Sequence, residues 1–302
     1  MLSRRSFLRA VGGGIAGGVV LAACGSGDDD NGSAGPGDDD NGSAGSVTDA
    51  HHQEPTDLAP AVLSSDLHVT DTPQRFAFAL LAKEGYASGG TARLAVAPPG
   101  EAPADFVDAT LHTAGLPDRR GVYTSDLVLT QPGTWNAVVE RGDERLEFVF
   151  AVKERAEAPA IGARAPSAAS PTPGAPLGVD PICTRDPQCT LHDRSLDTLI
   201  GAGTPVAVLF ATPARCQSAY CGPVLDAMLP LVPDYEGRVE FVHVDIYKDL
   251  RSTDVSPTVQ AWGLPSEPWL YGVDATGTIT GRLDGAFAQD EMQALLDRLA
   301  AG

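Results

Sequence analysis

Residues 209–224, LFATPARCQSAYCGPV, carry an apolar strand into a turn that holds Cys216 and Cys221, and Cys221-Gly222-Pro223 opens a helix. A thiol at a helix start faces unpaired backbone N–H groups and the positive end of the helix dipole, which favour the thiolate and lower its pKa. The helix is predicted from Val224, Leu225, Met228, Leu229 and Val232 at three- and four-residue spacing, with Pro223 in its first turn and a kink at Pro230. Two cysteines five positions apart also suit a plain structural disulfide, so the flanking segments have to decide.

Pro205 to Phe210 is continuously apolar, as expected of a strand buried on both faces of an α/β sheet. A second strand is predicted over residues 239–247, followed by a polar loop and the run WGLPSEPWLYGVDATG, residues 262–277. This order resembles the thioredoxin-like family over residues 177–302, which implies an α/β thioredoxin-like domain. The resemblance implies a cis proline at Pro268 packed against the cysteines, a strand at 269–273, a hairpin turn at Asp274-Ala-Thr-Gly277 and a returning strand at 278–284. A closing helix is predicted over 289–300, with Met292, Leu295, Leu296 and Leu299 on one face.

Thioredoxins carry Cys-Gly-Pro-Cys, whereas this chain has Cys221-Gly-Pro-Val224. One alignment makes Cys221 the nucleophile and Cys216 its resolving partner; the other exchanges the two roles. The Gly-Pro and helix after Cys221 favour the first. Peroxiredoxins resemble the site in their Pro and Ser before a cysteine, here Pro213 and Ser218, but the spacing is one residue too long. Copper-delivering proteins of the Sco type carry Cys-x3-Cys-Pro and a later histidine. Here the spacing is Cys-x4-Cys, and His243, the only later histidine, falls inside a predicted strand, where a core or surface role is expected.

At the N-terminus, Ser3-Arg4-Arg5-Ser6-Phe7-Leu8 matches a twin-arginine export signal, and an apolar, glycine-rich segment follows. Leu21-Ala-Ala-Cys24 resembles a bacterial lipobox, which implies cleavage before Cys24 and a lipid on its sulfur. The segment is too short to be a convincing membrane span. The expected location is therefore the extracytoplasmic face of the cell membrane, held by the lipid anchor, with residues 1–24 as signal. Residues 25–60 read as an acidic tether in which GDDDNGSAG occurs twice, with nine acidic and no basic side chains. Removing the signal with its three arginines takes the formal charge from −19 to −22, which repels nucleic acid. His51, His52 and Glu54 lack the further ligands a metal needs.

Residues 61–153 show short alternating runs at 75–81, 92–96, 109–112, 122–129, 134–140 and 146–152, separated by turn residues. This spacing predicts an all-β sandwich, and Gly121-Val-Tyr123 with Pro132-Gly-Thr-Trp135 resembles bacterial immunoglobulin-like domains. The sandwich holds no cysteine and only His68 and His112, so no catalytic site is expected there, and Trp135 is expected in its core. Residues 154–176 read as a Pro- and Ala-rich spacer leading to residues 177–302.

With Cys24 lipidated, four cysteines allow three pairings. Short loops close easily, which favours disulfides Cys183–Cys189 and Cys216–Cys221. The first is expected to be structural, with His192 beside it on the surface. The chain thus reads as an extracytoplasmic thiol-disulfide oxidoreductase acting on protein thiols and disulfides through Cys221, Cys216 and Pro268, without cofactor or metal. The competing reading is a redox-inactive binding module on the same fold, its disulfide kept as a staple.

Overall fold

The computed structural model describes residues 57–117, 120–215 and 220–302. The export signal with Arg4 and Arg5, the lipobox Cys24, most of the acidic tether with His51, His52 and Glu54, and the thiol of Cys216 lie outside them. Among the described residues no helix is long and apolar enough to cross a membrane.

Among the described residues eight antiparallel strands fill the first part: β1 (Ala59–Val62), β2 (Gln74–Ala82), β3 (Gly85–Tyr86), β4 (Ala92–Ala97), β5 (Val107–His112), β6 (Val122–Leu127), β7 (Gly133–Arg141) and β8 (Glu144–Val152). Their hydrogen-bonded order is β1-β2-β6-β5-β4-β7-β8, with β3 on β2. β5 pairs with β4 through Val107–Ala109 and with β6 through Thr110–His112, so it passes between the two layers and joins them into one path. Alternate side chains of both layers, among them Phe76, Phe78, Leu94, Tyr123 and Phe150, meet in one core. Trp135 is buried with them, its indole N–H donating to the Gln131 carbonyl.

The second part has a four-stranded sheet ordered β10-β9-β11-β12, from β9 (Val206–Phe210), β10 (Glu240–Val244), β11 (Trp269–Val273) and β12 (Ile279–Asp284). β10 runs parallel to β9, while β11 is antiparallel to both β9 and β12. The fully apolar β9 is central and buried on both faces, which explains its lack of alternation. Among the described residues four helices complete this part: α1 (Leu196–Leu199), α2 (Cys221–Met228), α3 (Pro257–Trp262) and α4 (Gln289–Ala301). α2 passes into a 3-10 helix, Leu229–Tyr235, at Pro230, where proline supplies no N–H to continue the α-helical ladder. α4 buries Met292, Leu295, Leu296 and Leu299 against the sheet.

The Pro- and Ala-rich segment is docked rather than free. Gly162 N–H donates to Ile279 O, Ile279 N–H to Ala163 O and Ala165 N–H to Gly277 O, so the segment lies along β12. Ala158 and Ala165 join the core on that face. Strand β1 begins at Ala59, inside the stretch read as tether.

The two parts also share a core: Ala77 of β2 and Val122 of β6 pack in one cluster with Leu209, Tyr220, Leu283 and Phe287. Asp66, 1% exposed, accepts hydrogen bonds from the N–H groups of Glu157 and Ala158, and its carboxylate lies 3.3 Å from Lys153 Nζ and 3.2 Å from Arg282 Nη1. Arg75 pairs with Glu291 at 2.6 Å and donates to Ala286 O. At Gly285, φ is +76° and a Cβ would fall 1.6 Å from Leu63 O; only glycine lets these two backbones approach so closely.

Candidate functional site

β9 ends at Phe210, and the chain turns through Ala211, Thr212 and a 3-10 turn, Pro213–Arg215, toward the cysteine loop. Thr212 Oγ1 accepts from Ile246 N–H, and Arg215 donates to the carbonyls of Asp249 and Ser252, so the base of the loop is fixed to the segment after β10. Cys221 is the first residue of α2 and is fully buried. Tyr220 before it is buried too, edge-on to Tyr86 of β3 with ring centroids 5.7 Å apart. The sandwich therefore covers the start of the helix that carries Cys221.

The Cys221 thiol donates to Glu267 Oε2 at 3.5 Å, and the Tyr247 hydroxyl donates to Glu267 Oε1 at 3.1 Å. Glu267 is itself 8% exposed and precedes Pro268 through a cis peptide bond, directly before β11. β11 pairs Trp269 with Phe210 at the C-terminal end of β9, which sets Glu267 and Pro268 next to the cysteine turn. Sequence reasoning missed Glu267 and Tyr247. A glutamate before a proline that opens a wholly apolar strand is the signal that was there to be read.

A second constellation departs from the sequence-based reading. Cys183 and Cys189 are not joined; their sulfurs lie 3.8 Å apart, each also beside imidazole nitrogens. Cys183 Sγ is 3.8 Å from His243 Nδ1, while Cys189 Sγ is 3.4 Å from the same atom and 3.3 Å from His192 Nε2. The two ring nitrogens are 3.2 Å apart. His192 is no surface residue, being 3% exposed, and His243 is fully buried on β10. The apolar neighbours of β10 do not make His243 a plain core residue, because its Nε2 faces the Ala211 carbonyl at 3.0 Å. A carbonyl only accepts, so Nε2 carries a proton, and Nδ1 is the ring nitrogen that faces the sulfurs.

Hydrogen bonds hold this cluster in place. Asp245, two residues beyond His243, accepts from Thr184 N–H at 2.7 Å and from Thr184 Oγ1 at 2.9 Å, which fixes the backbone next to Cys183. Thr184 Oγ1 in turn accepts from Ala214 N–H, and Arg185 pairs with Asp226 of α2 at 2.8 Å, so residues 183–192 bridge β10, the cysteine turn and α2. The hydrogen bond with Cys189, and then those with His192 and His243, drive the Cys183 thiol far below its usual pKa against the effect of burial. Cys189 moves the opposite way, through that same hydrogen bond and through burial. Burial opposes a charge on His243, but its hydrogen bond with Cys183 and the Asp245 carboxylate outweigh that and raise its pKa.

No family model matches the chain, and no curated protein does. Among solved structures, one described provisionally as the thiol:disulfide interchange protein DsbE of Chlorobium tepidum is 16% identical, over 47% of this chain and 99% of its own, with a TM-score of 0.33. A thioredoxin-family thiol:disulfide interchange protein from Chlorobium tepidum TLS is 15% identical over the same shares, with a TM-score of 0.32. Domains 4 and 5 of the S-layer protein SbsC match at 15% identity over 32% of this chain and 51% of that one, with a TM-score of 0.20. Identities of this order leave the chemistry to be argued from the site itself.

Proposed function

We propose that the protein is a thiol-disulfide oxidoreductase of the thioredoxin-like type, anchored by lipid at Cys24 to the extracytoplasmic face of the cell membrane and acting on protein thiols and disulfides. The observation that carries this reading is the buried Cys221 thiol at the start of α2, donating to the carboxylate of Glu267 beside cis-Pro268. A staple needs no proton acceptor at its sulfur, whereas a thiol that must become a nucleophile does.

Full burial of Cys221 favours the alignment in which Cys216 attacks first. The Cys216 thiolate attacks one sulfur of a substrate disulfide, an S–S bond forms between them, and the other substrate sulfur leaves as a thiolate. Cys221 then passes its proton to Glu267 and attacks the Cys216 sulfur. The second substrate thiolate leaves, the substrate has gained two electrons, and the protein holds a 216–221 disulfide. Run backwards, the same steps oxidise a substrate dithiol. The sandwich, read as immunoglobulin-like, covers the helix start and limits which substrates reach it.

In the full chain, Cys221→Ser should trap mixed disulfides through Cys216, Cys216→Ser should abolish exchange, and Cys24→Ser should move the protein out of the membrane fraction. Trapping by Cys216→Ser instead would restore Cys221 as nucleophile. If neither variant changes exchange with a peptide disulfide, the binding-module reading replaces this one.

A further inference from the structure

We propose that Cys183, Cys189, His192 and His243 bind one zinc ion in a closed, tetrahedral site that ties residues 183–192 to strand β10. Each residue offers one ligand atom, and all four atoms lie within 4.8 Å of one another. Bond lengths of about 2.3 Å to sulfur and about 2.05 Å to nitrogen give a tetrahedron with edges of about 3.8 Å (S to S), 3.6 Å (S to N) and 3.4 Å (N to N). The corresponding separations are 3.8 Å between the sulfurs, 3.8, 3.4 and 3.3 Å from sulfur to nitrogen, and 3.2 Å between the nitrogens. Five of the six edges thus match a zinc tetrahedron to within about 0.3 Å, and the sixth, Cys183 Sγ to His192 Nε2, is no longer than 4.8 Å.

The surroundings fit the same ion. His243 gives its Nε2–H to the Ala211 carbonyl and so presents the Nδ1 lone pair, the arrangement in which an outer acceptor orients a ligating imidazole. Asp245 fixes the Cys183 backbone through Thr184. Cys183, His192 and His243 are at 3% exposure or less and Cys189 is part-buried, and the four side chains fill all four corners, which suits a structural ion and not a catalytic one. The one contact missing is an acceptor for His192 Nδ1, which is buried without a partner among the described residues.

A 183–189 disulfide would use the two sulfurs and leave two buried imidazoles facing each other for no purpose; zinc employs all four groups. Two thiolates and two neutral imidazoles leave the bound ion with no net charge, which a buried site favours. Binding releases the protons that the four ligand atoms hold between them. The site is separate from the thiol exchange of Cys216 and Cys221, so neither proposal depends on the other.

The test uses the full chain purified without chelator or reductant. Metal analysis and native mass spectrometry should find one zinc per chain, with Cys183 and Cys189 resistant to alkylation until the metal is stripped. Cobalt added to the stripped protein should give the intense visible bands of a tetrahedral thiolate complex. Cys189→Ser and His192→Ala should each lose the ion and melt lower by more than about 10 °C, as removal of a structural ion does. Should both variants fail to fold, the cobalt spectrum of the unaltered chain still decides. A 183–189 disulfide in the metal-free protein, copper in place of zinc, or an octahedral cobalt spectrum would overturn the proposal.

Discussion

Glu267→Gln is the sharpest probe of the exchange chemistry, because it keeps the shape of the side chain and removes only its capacity to take a proton. The carboxylate is buried, 3.5 Å from the Cys221 sulfur, and the Tyr247 hydroxyl holds its other oxygen at 3.1 Å. A base positioned in this way contributes roughly 10²- to 10⁴-fold to the step it serves. In the proposed exchange that step is the second one, in which Cys221 displaces the substrate from Cys216. In a rapid-quench experiment with a peptide disulfide, the mixed disulfide should form at the normal rate in Glu267→Gln and decay at least ~100-fold more slowly. Tyr247→Phe removes one orienting hydrogen bond, about 0.5–1.5 kcal/mol, so decay should slow by no more than ~10-fold. Raising the pH should narrow the gap between Glu267→Gln and the unaltered protein, since solvent then deprotonates Cys221 without help. If the mixed disulfide decays equally fast in both at neutral pH, Glu267 takes no proton and its burial beside Cys221 has only a packing role.

Two further outcomes test the frame around the site. Asp66→Ala removes one partner of part-buried Arg282 and Lys153 and leaves the Glu157 and Ala158 N–H groups without their acceptor, a loss of about 2–4 kcal/mol, which at 2–4 °C per kcal/mol lowers the melting temperature by roughly 4–16 °C; a fall under about 3 °C would show that these groups find other partners. Asp274 at the hairpin turn accepts from the N–H groups of Thr278 and Thr276, and these bonds, Thr278 first, hold its pKa below the ordinary carboxylate range. A depressed folded pKa stabilises above the unfolded value of about 3.9 and ceases to do so as pH falls through the folded one. The stability difference between the unaltered protein and Asp274→Asn should therefore shrink between about pH 5 and 2, and a difference independent of pH would remove Asp274 from the turn's energetics.

Strand β11, its hairpin with β12 and helix α4 were legible because each carries a local signature: Pro268 before five apolar residues, Asp-Ala-Thr-Gly at the turn, leucines at helical spacing. Strand β1 was not, since Ala59-Pro-Ala-Val62 has no alternation and gains its partners only when β2 is beside it. α1 and α3 are too short for a periodicity to show. The Cys183–His243 constellation was hidden for a different reason. Cys189 and His192 are three residues apart, but His243 lies 51 positions further on, and only the pairing of β10 with β9 turns it toward them. A histidine in the run Glu-Phe-Val-His-Val, destined for a parallel strand, was itself a clue, because a polar ring buried there has to meet a partner. For Cys221 the helix start was readable, but its depth was not, because Tyr86, which packs edge-on against the neighbouring Tyr220, belongs to a distant stretch of chain.

The contact of Gly285 with the Leu63 backbone, with no room between them for a single methyl group, bears on how this protein comes apart. Two lobes joined through backbone and a common apolar cluster cannot swing on a hinge without first losing that cluster. Heat or denaturant should accordingly melt them in one cooperative transition, and cutting between them would yield two fragments with raw apolar faces and no free-standing redox module. In the proposed exchange, the movement that brings the Cys216 sulfur to buried Cys221 then has to be a local one beside Tyr220, with both lobes staying in place.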